Sequence, residues 1–378
     1  MSLNKLAQKQ IALIKILKCV KSKNYKNKWH RKLSPIGWHI IHCVYIELYW
    51  IRSYFFEEND LVSKISYLAD ASQVGLSKRG KNLPDYNELL IFCKDTFSKN
   101  IEYLKKIKEK KIIKNSIGYF YLLEFLSQHH SQHIETLYSI LNIKNLKTSK
   151  KYRDFSINFD AKTYKYNGAL ISEGEYIIGS DGKNFAYDNE KPSKIFKTSS
   201  FNISKTPIKV SEWYGFILEG GYKKKEYWSS SGWKWKKKYC VEHPLNWKFF
   251  DKKLSLSTPN DYISPSEELF VTNISKYELD AFANFVRLRL PSEFEWEIAA
   301  KDLLKQGYTW EWTSSNFLPY EGFIPFPYND YSNPWFNGDY FTLKGYSQYS
   351  LKELQRVSFR NFYLPEDRYA FTGGRLCK

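Results

Sequence analysis

Gln128-His129-His130-Ser131-Gln132-His133 lies within the apolar run 117–141, which has the pattern of a helix. Its apolar residues recur at helical spacing and no proline interrupts them: Leu122, Leu123, Phe125, Leu126, Leu137 and Ile140. On a helix, His129 and His133 stand one turn apart on the same face. Two imidazoles at that spacing can bind one metal ion, although a pair of surface histidines has the same pattern. A third histidine elsewhere in the chain would favour the metal site.

The length and composition suit a chain with two well-packed domains. It has 378 residues, of which 43% are hydrophobic and 18% aromatic. No apolar run of about 20 residues is present, so we expect no membrane span, and the N-terminus lacks the pattern of a secretory signal. The five cysteines form no CxxC pair, which argues against a disulfide framework or a thiolate zinc site. A cytoplasmic protein is the simplest expectation.

The net charge of +18 could indicate a nucleic-acid-binding protein. Most of it comes from lysines spread along the chain, in runs such as 105–114 and 223–238. Lysine, asparagine, isoleucine and tyrosine are all abundant, as an AT-rich genome would also produce. No zinc-finger pattern or RNA-recognition motif accompanies the charge. We therefore expect no nucleic-acid partner, and we expect the basic field to favour small anionic substrates.

Residues 1–150 have the pattern of a helical bundle. Apolar periodicity predicts four helices, over residues 3–22, 36–56, 85–108 and 117–141. Ser34 and Pro35 suit the N-cap and first position of the second helix. Facing helices of a four-helix bundle commonly build metal sites in its core. His42 on the second helix can therefore face His129 and His133 on the fourth.

Residues 160–378 have a different pattern. The chain becomes polar and lysine-rich around 143–160, where we place the domain boundary. Beyond it, short strand-like segments such as 176–179 and 195–201 alternate with turn residues, and two helices are predicted at 275–287 and 292–301. The second half is thus an irregular α+β domain whose long loops are typical of functional segments.

Several motifs, in order along nearly the whole chain, resemble one known family. Residues 34–42 and 128–133 resemble the two metal-binding signatures of the DinB-like bundle in iron-dependent sulfoxide synthases. The second half resembles the formylglycine-generating-enzyme-type domain of those synthases, a C-type-lectin-related fold, in these segments: 174–179, 188–192, 220–222, 231–235, 289–296, 310–313, 360–361 and 374–376. The resemblance implies an α + (α+β) chain, with a DinB-like four-helix bundle followed by a formylglycine-generating-enzyme-type domain.

The resemblance also assigns roles in the N-terminal half. It implies that His42, His129 and His133 bind Fe(2+), whereas His39 and His130 fall at positions that do not bind the metal. Gln132 matches a position that contacts the imidazole substrate. Independently of the resemblance, Arg79 in the basic loop 77–81 could bind a substrate carboxylate, with a solvated basic loop as the alternative.

In the C-terminal half, the resemblance points to the segment 327–331 as an active-site loop. Tyr328 matches the catalytic tyrosine, a proton donor, and Tyr331 its neighbour. Asn361 and Phe362 match positions at the trimethylammonium end of the substrate, where an aromatic face suits a cation. Trp310 and Trp312 are further aromatic candidates, with core packing as their alternative role.

The implied activity is an O2-dependent formation of a C–S bond that joins a cysteine-type thiol to hercynine, as in ergothioneine biosynthesis. Two departures leave the donor open. Tyr363 stands where γ-glutamylcysteine-using members carry Asp, and 344–347 departs from the usual Arg-Gly-Gly-Ser segment. A selenol donor, or an ovothiol-type reaction, therefore remains an alternative. A non-catalytic binding homologue is the rival of a different class.

Overall fold

The computed structural model describes residues 3–148, 159–250 and 253–378, and the chain divides into two units, Met1–Lys144 and Asn145–Lys378. Most of the predicted boundary segment, 149–158, lies outside the described residues. Within them, the first unit is helical, whereas the second mixes short strands with helices. No described helix is both long and apolar enough to cross a membrane.

The N-terminal unit contains the four predicted helices and one more. The helices are α1 (Leu3–Asn24), α2 (Ile36–Glu47), α3 (Tyr54–Phe56), α4 (Asp60–Ala69), α5 (Tyr86–Glu109) and α6 (Tyr119–Thr148). The predicted second helix corresponds to α2 and α3 with the turn that joins them. The additional helix is α4, a segment that the sequence analysis did not recognise. Helix α6 also continues to Thr148, beyond the predicted end at residue 141.

Helix α2 is buried on nearly all sides, as expected for an apolar helix at the centre of a bundle. It begins at Ile36, as predicted, but its N-cap residue is Pro35 and not Ser34. The Ser34 hydroxyl does not cap the helix; it accepts a 3.3 Å hydrogen bond from the guanidinium of Arg79. The start of α2 is therefore tied to the loop that follows α4.

A π-helical turn, Leu48–Ser53, connects α2 to α3. Such turns are rare and often lie at functional sites. It follows directly after Glu47, the last residue of α2, and it contains Arg52. Both side chains are buried and both contact Asn100 on α5.

The C-terminal unit is built from short strands and four helices. The strands are β1 (Gly168–Ile171), β2 (Gly174–Ile178), β3 (Lys194–Thr198), β4 (Phe201–Ser204), β5 (Trp247–Phe250), β6 (Lys253–Ser257), β7 (Tyr262–Ile263), β8 (Thr309–Asn316), β9 (Phe341–Tyr346), β10 (Asn361–Tyr363) and β11 (Thr372–Gly373). The helices are α7 (Val210–Leu218), α8 (Ser230–Lys238), α9 (Lys276–Phe285) and α10 (Glu293–Ala300).

The described strands form one four-stranded sheet and three smaller sheets. The largest has the order β10-β9-β8-β11; its β8 and β11 are parallel and its other pairs are antiparallel. The smaller sheets pair β1 with β4, β2 with β3, and β5 with β6 and β7. The predicted helices at 275–287 and 292–301 correspond to α9 and α10, and both begin with a capping box.

Five ion pairs with buried carboxylates hold the loops of the C-terminal unit to its core: Arg356–Glu190, Arg368–Glu278, Arg360–Glu293, Lys344–Glu297 and Arg375–Glu311. Four of these carboxylates also accept hydrogen bonds from other donors, and the fifth, Glu293, accepts two from Arg360 itself, as a buried charge requires. Arg360, for example, also donates to the carbonyls of Asn189 and Leu318 at 2.7 and 2.8 Å. These contacts fix the backbone next to Asn361, the first residue of β10.

Candidate metal centre

His42 on α2 and His129 and His133 on α6 converge at one point inside the N-terminal unit. One ring nitrogen from each lies within 4.8 Å of the other two. His129 and His133 stand one turn apart, and the opposite helix supplies the third ring. The arrangement brings together the three residues that the sequence singled out as metal ligands.

The orientation of His42 is set by the C-terminal end of α4. Its Nδ1 donates to the carbonyl of Ala69 at 2.8 Å, which leaves Nε2 with a free lone pair. Trp38 stacks on the His42 ring, with centroids 4.8 Å apart and an interplanar angle of 12°. The indole nitrogen of Trp38 donates to the carbonyl of Leu68 at 2.9 Å. The His42 ring is therefore held on its edge and on one face.

His133 is oriented by a fourth histidine, His39. The two Nδ1 atoms lie 2.9 Å apart, so one ring donates and the other accepts. The Nε2 of His39 is buried and has no hydrogen-bond partner among the described residues. A buried polar atom without a partner is costly and calls for an explanation, such as a bound ligand or water.

His129 is followed by His130, whose ring lies in the core of the unit. The two Nδ1 atoms are 3.5 Å apart, and the Nε2 of His130 lies 2.7 Å from a carboxylate oxygen of Glu47. Cys43 joins His129 and His130 in a second group of closely spaced donors. Burial raises the pKa of the Cys43 thiol well above its ordinary value. Since the Glu47 carboxylate also engages His130, this second group is poorly suited to a metal.

All four histidines next to the centre are held in the neutral form that metal binding requires. Burial lowers the pKa of His39 to about 3 and that of His42 to about 4. Burial, followed by the repulsion of neighbouring imidazoles, also lowers the pKa of His129 and His133 well below the ordinary value. Three convergent neutral imidazoles suit a divalent first-row metal ion, so the residues present fit such a group.

Arg79 and Gln132, the predicted substrate-binding residues of this unit, have different surroundings. Arg79 is largely engaged within the protein: it donates to the carbonyls of Val74 and Ala71 at 2.9 and 3.1 Å. Its guanidinium also lies over the Trp38 ring, 4.1 Å from the centroid. Gln132 is half-buried on α6, next to His133.

Tyr328 and Tyr331 lie in the C-terminal unit, on the loop between β8 and β9. Tyr328 is 38% exposed. Tyr331 stacks on Tyr187 with centroids 4.5 Å apart, and burial raises its pKa well above the ordinary value. The carboxylate of Asp188 accepts hydrogen bonds from the backbone of Phe326 and the hydroxyl of Ser332, which fixes both ends of the segment.

Asn361 and Phe362 lie on β10, at the edge of the four-stranded sheet. The Asn361 side-chain oxygen accepts from the amide of Phe362 at 3.0 Å. The Phe362 ring stacks on Phe317 at 4.2 Å between centroids, and Trp335 and Tyr340 lie within 5.8 Å of it. These rings form an aromatic cluster of the kind that receives an organic cation. Trp310 and Trp312, by contrast, are core residues with at most 2% exposure.

The sequence analysis missed the residues that surround the three ligand candidates. Glu47, Trp38 and the carbonyl of Ala69 were assigned no role, and His39 and His130 were recognised only as positions that do not bind the metal. One signal was available, because a glutamate within an otherwise apolar helix is seldom buried without a partner. The Ala69 carbonyl could not be found in this way, since a backbone group leaves no mark on the sequence.

Comparison with known proteins links both units to characterised relatives. Residues 160–308 match the family model described as the sulfatase-modifying factor enzyme 1-like domain. Over an alignment of 404 residues, the chain is 26% identical to the hercynine oxygenase of Mycolicibacterium smegmatis, covering 91% of each protein. It is 27% identical to the hercynine oxygenase of Mycobacterium tuberculosis, over 68% of this chain and 72% of that protein.

A fungal relative matches a smaller part of the chain. The ergothioneine biosynthesis protein 1 of Schizosaccharomyces pombe is 27% identical over 51% of this chain and 28% of its own length. The bacterial matches, in contrast, span both units in a single alignment. These similarities indicate an oxidoreductase-type enzyme that is similar to ergothioneine-synthase-type proteins, with a sulfatase-modifying-factor domain in its C-terminal unit.

Proposed function

We propose that this chain is an iron(II)- and O2-dependent sulfoxide synthase that joins a cysteine-type thiol to hercynine. The observation that carries the proposal is the convergence of His42, His129 and His133 in a chain 26% identical to a hercynine oxygenase over 91% of its length. In this proposal, the N-terminal unit is a DinB-like bundle. The C-terminal unit is a formylglycine-generating-enzyme-type, lectin-related domain.

The N-terminal unit contributes a neutral, preorganised ligand set. Ferrous iron held there would supply acidity toward a bound thiol and the redox chemistry that O2 requires. The ligand set carries no carboxylate, so the anionic partner of the metal must come from the thiol substrate. The carbonyl of Ala69 and the Nδ1 of His39 hold His42 and His133 in place. Gln132, adjacent to His133, would hydrogen-bond the imidazole of hercynine.

The C-terminal unit contributes a proton donor and an aromatic surface. Tyr328 is partly exposed on a loop anchored at both ends, which suits a phenol that donates a proton during the reaction. The aromatic cluster around Phe362 would receive the trimethylammonium group of hercynine by cation–π attraction, and Asn361 would orient that end of the substrate.

One departure from the family pattern favours a second candidate for the donor. Tyr363 stands where a carboxylate is found in members that use γ-glutamylcysteine, and its ring packs against Tyr369 at 5.6 Å between centroids. A phenol cannot reproduce the charge of that carboxylate. Free cysteine, or a selenol donor as in a selenoneine-type synthase, is therefore the alternative to γ-glutamylcysteine.

The test is anaerobic reconstitution with ferrous iron, followed by O2 uptake and mass spectrometry of the products. Hercynine is supplied with cysteine, γ-glutamylcysteine or a selenosugar in separate reactions. We expect one donor to give an adduct, and we expect His133→Ala to lose both the iron and the adduct. His243→Gln is the matched control, since His243 lies in the C-terminal unit, where its Nδ1 contacts the carbonyl of Pro244 at 2.9 Å. Iron binding without an adduct from any donor would refute the proposed reaction.

A further inference from the structure

Glu47 is a buried carboxylate that the proposed reaction does not use. It is 0% exposed and accepts four hydrogen bonds from the side chains of Gln10, Asn100 and His130. Gln10 Nε2 lies 2.8 Å from Oε1 and 3.0 Å from Oε2, Asn100 Nδ2 lies 3.0 Å from Oε2, and His130 Nε2 lies 2.7 Å from Oε1. A network so fully satisfied has a defined direction for every proton.

The carboxylate sets the tautomer of His130. Because the Glu47 carboxylate accepts from Nε2, a proton of the His130 ring lies on Nε2, and with one proton on the ring Nδ1 keeps its lone pair. That lone pair faces His129, whose Nδ1 is 3.5 Å away. His129 therefore carries its own proton on Nδ1, which leaves its Nε2 free for a metal ion.

We propose that Glu47 and His130 are positioning residues for the metal centre, which act through two imidazoles in series to fix the tautomer of His129. The arrangement extends by one ring the common pattern in which a carboxylate orients a metal-binding histidine. This inference rests on the proposed metal centre. It adds that a metal ligand depends on a carboxylate that it does not contact.

The same network determines what a glutamine at position 47 would do. Arg52 donates to the Asn100 side-chain oxygen at 2.8 Å, so Asn100 must present its amide NH2 to Oε2. In Glu47→Gln, the single oxygen of the new amide must therefore occupy the position of Oε2, where it accepts from Asn100. The new NH2 group then falls at the position of Oε1, opposite His130, and the Gln10 amide, whose nitrogen lies 2.8 Å from Oε1, must turn to present its oxygen. His130 Nε2 then becomes an acceptor, and the proton of the His130 ring moves to its Nδ1. In response, the proton of the His129 ring moves from Nδ1 to Nε2, where it blocks metal binding.

The experiment measures tautomers and metal affinity separately. Long-range 1H–15N spectra of the metal-free protein, labelled with 15N in its histidine rings, report which nitrogen of each ring is protonated. Affinity is measured with Co(II), from its visible absorption in competition with a chelator. We expect Glu47→Gln to invert the tautomers of His130 and His129 and to weaken Co(II) binding about 10–100-fold.

Gln10→Met is the matched control for stability. Gln10 is also buried and also contacts Glu47, but it does not lie between the carboxylate and the metal centre. We expect this variant to keep the tautomers of the unmodified protein and its Co(II) affinity within about two-fold. An equal loss of affinity in Gln10→Met and Glu47→Gln would mean that the network is merely structural, and would overturn the proposal.

A second cycle tests whether the effect of Glu47→Gln passes through His130. In His130→Asn, the short amide can accept from His129 but no longer reaches residue 47. Adding Glu47→Gln to this background should then change Co(II) affinity less than about two-fold. Unchanged tautomers and affinity in Glu47→Gln, or a full loss in the His130→Asn background, would refute the inference. No Co(II) or iron binding by the unmodified protein would instead refute the metal centre itself.

Discussion

Acid should unfold the metal-free N-terminal unit, because its buried histidines resist protonation. Burial lowers the pKa of His39 to about 3 and that of His42 to about 4, against an ordinary value of 6.5. Below pH 6.5 the unfolded chain therefore binds protons that the folded chain excludes. The free energy of unfolding therefore keeps its full value above pH 6.5. It decreases as the pH falls from 6.5 toward the pKa values of the folded state.

The size of the effect follows from these pKa values. One pH unit is worth about 1.4 kcal/mol per proton, and pH 5 lies about 1.5 pH units below 6.5. His39 and His42 should each lower the free energy of unfolding by about 2 kcal/mol between pH 7 and pH 5. His129 and His133, whose pKa values are also lowered, act in the same direction. A total of about 4 kcal/mol or more is a large part of the 5–15 kcal/mol typical of a domain.

Hydrogen exchange followed by mass spectrometry measures this effect in the N-terminal unit alone. Peptides from α2 and α6 report the opening free energy, after correction for the pH dependence of intrinsic exchange. In His39→Asn, the decrease between pH 7 and pH 5 should shrink by about 2 kcal/mol. Opening free energies that do not change with pH, or that change equally in His39→Asn, would refute the reasoning.

Three further predictions concern residues outside the ligand set. Arg79→Gln should destabilise the N-terminal unit by about 1–3 kcal/mol in urea unfolding, because Arg79 donates hydrogen bonds to two backbone carbonyls. A raised KM for the thiol donor without lost stability would instead support a role of Arg79 in substrate binding. Lys344→Met should lower the stability of the C-terminal unit by about 3–5 kcal/mol, because the Glu297 carboxylate stays buried without its cation. The double variant Lys344→Met/Glu297→Leu should recover most of this loss in thermal unfolding. Tyr328→Phe should lower kcat by about 10²–10⁴ with little change in KM. Tyr331→Phe should mainly lower the melting temperature, since it removes the hydroxyl that hydrogen-bonds Tyr187.

The helices of the N-terminal unit could be predicted because periodicity is strong in long amphipathic segments. The convergence of His42 with His129 and His133 followed from two helices facing each other across a core. Helix α4 was missed for two reasons. It has only ten residues, and it contains more polar residues than buried residues. The N-cap of α2 was misassigned because the Ser34 hydroxyl has a tertiary partner that local sequence cannot show.

The contacts that orient the rings could not be predicted, for a different reason. They depend on tertiary positions of single atoms: the carbonyl of Ala69, the Nδ1 of His39 and the carboxylate of Glu47. Sequence spacing places residues on a face of a helix, but it does not say which nitrogen of a ring points to the centre. In the C-terminal unit, the roles of Tyr328 and Asn361 were inferred only from family resemblance, since their irregular loops have no periodicity.

The π-helical turn Leu48–Ser53 makes the metal centre sensitive to the length of the chain. In an α-helix, residues five apart point about 140° away from each other. Glu47 and Arg52 are five apart, yet both reach Asn100, because the wider turn accommodates one more residue. Deleting one residue here would restore regular winding and rotate one of the two side chains out of the core. Natural variation in this turn should therefore consist of substitutions, whereas single-residue insertions and deletions should be selected against.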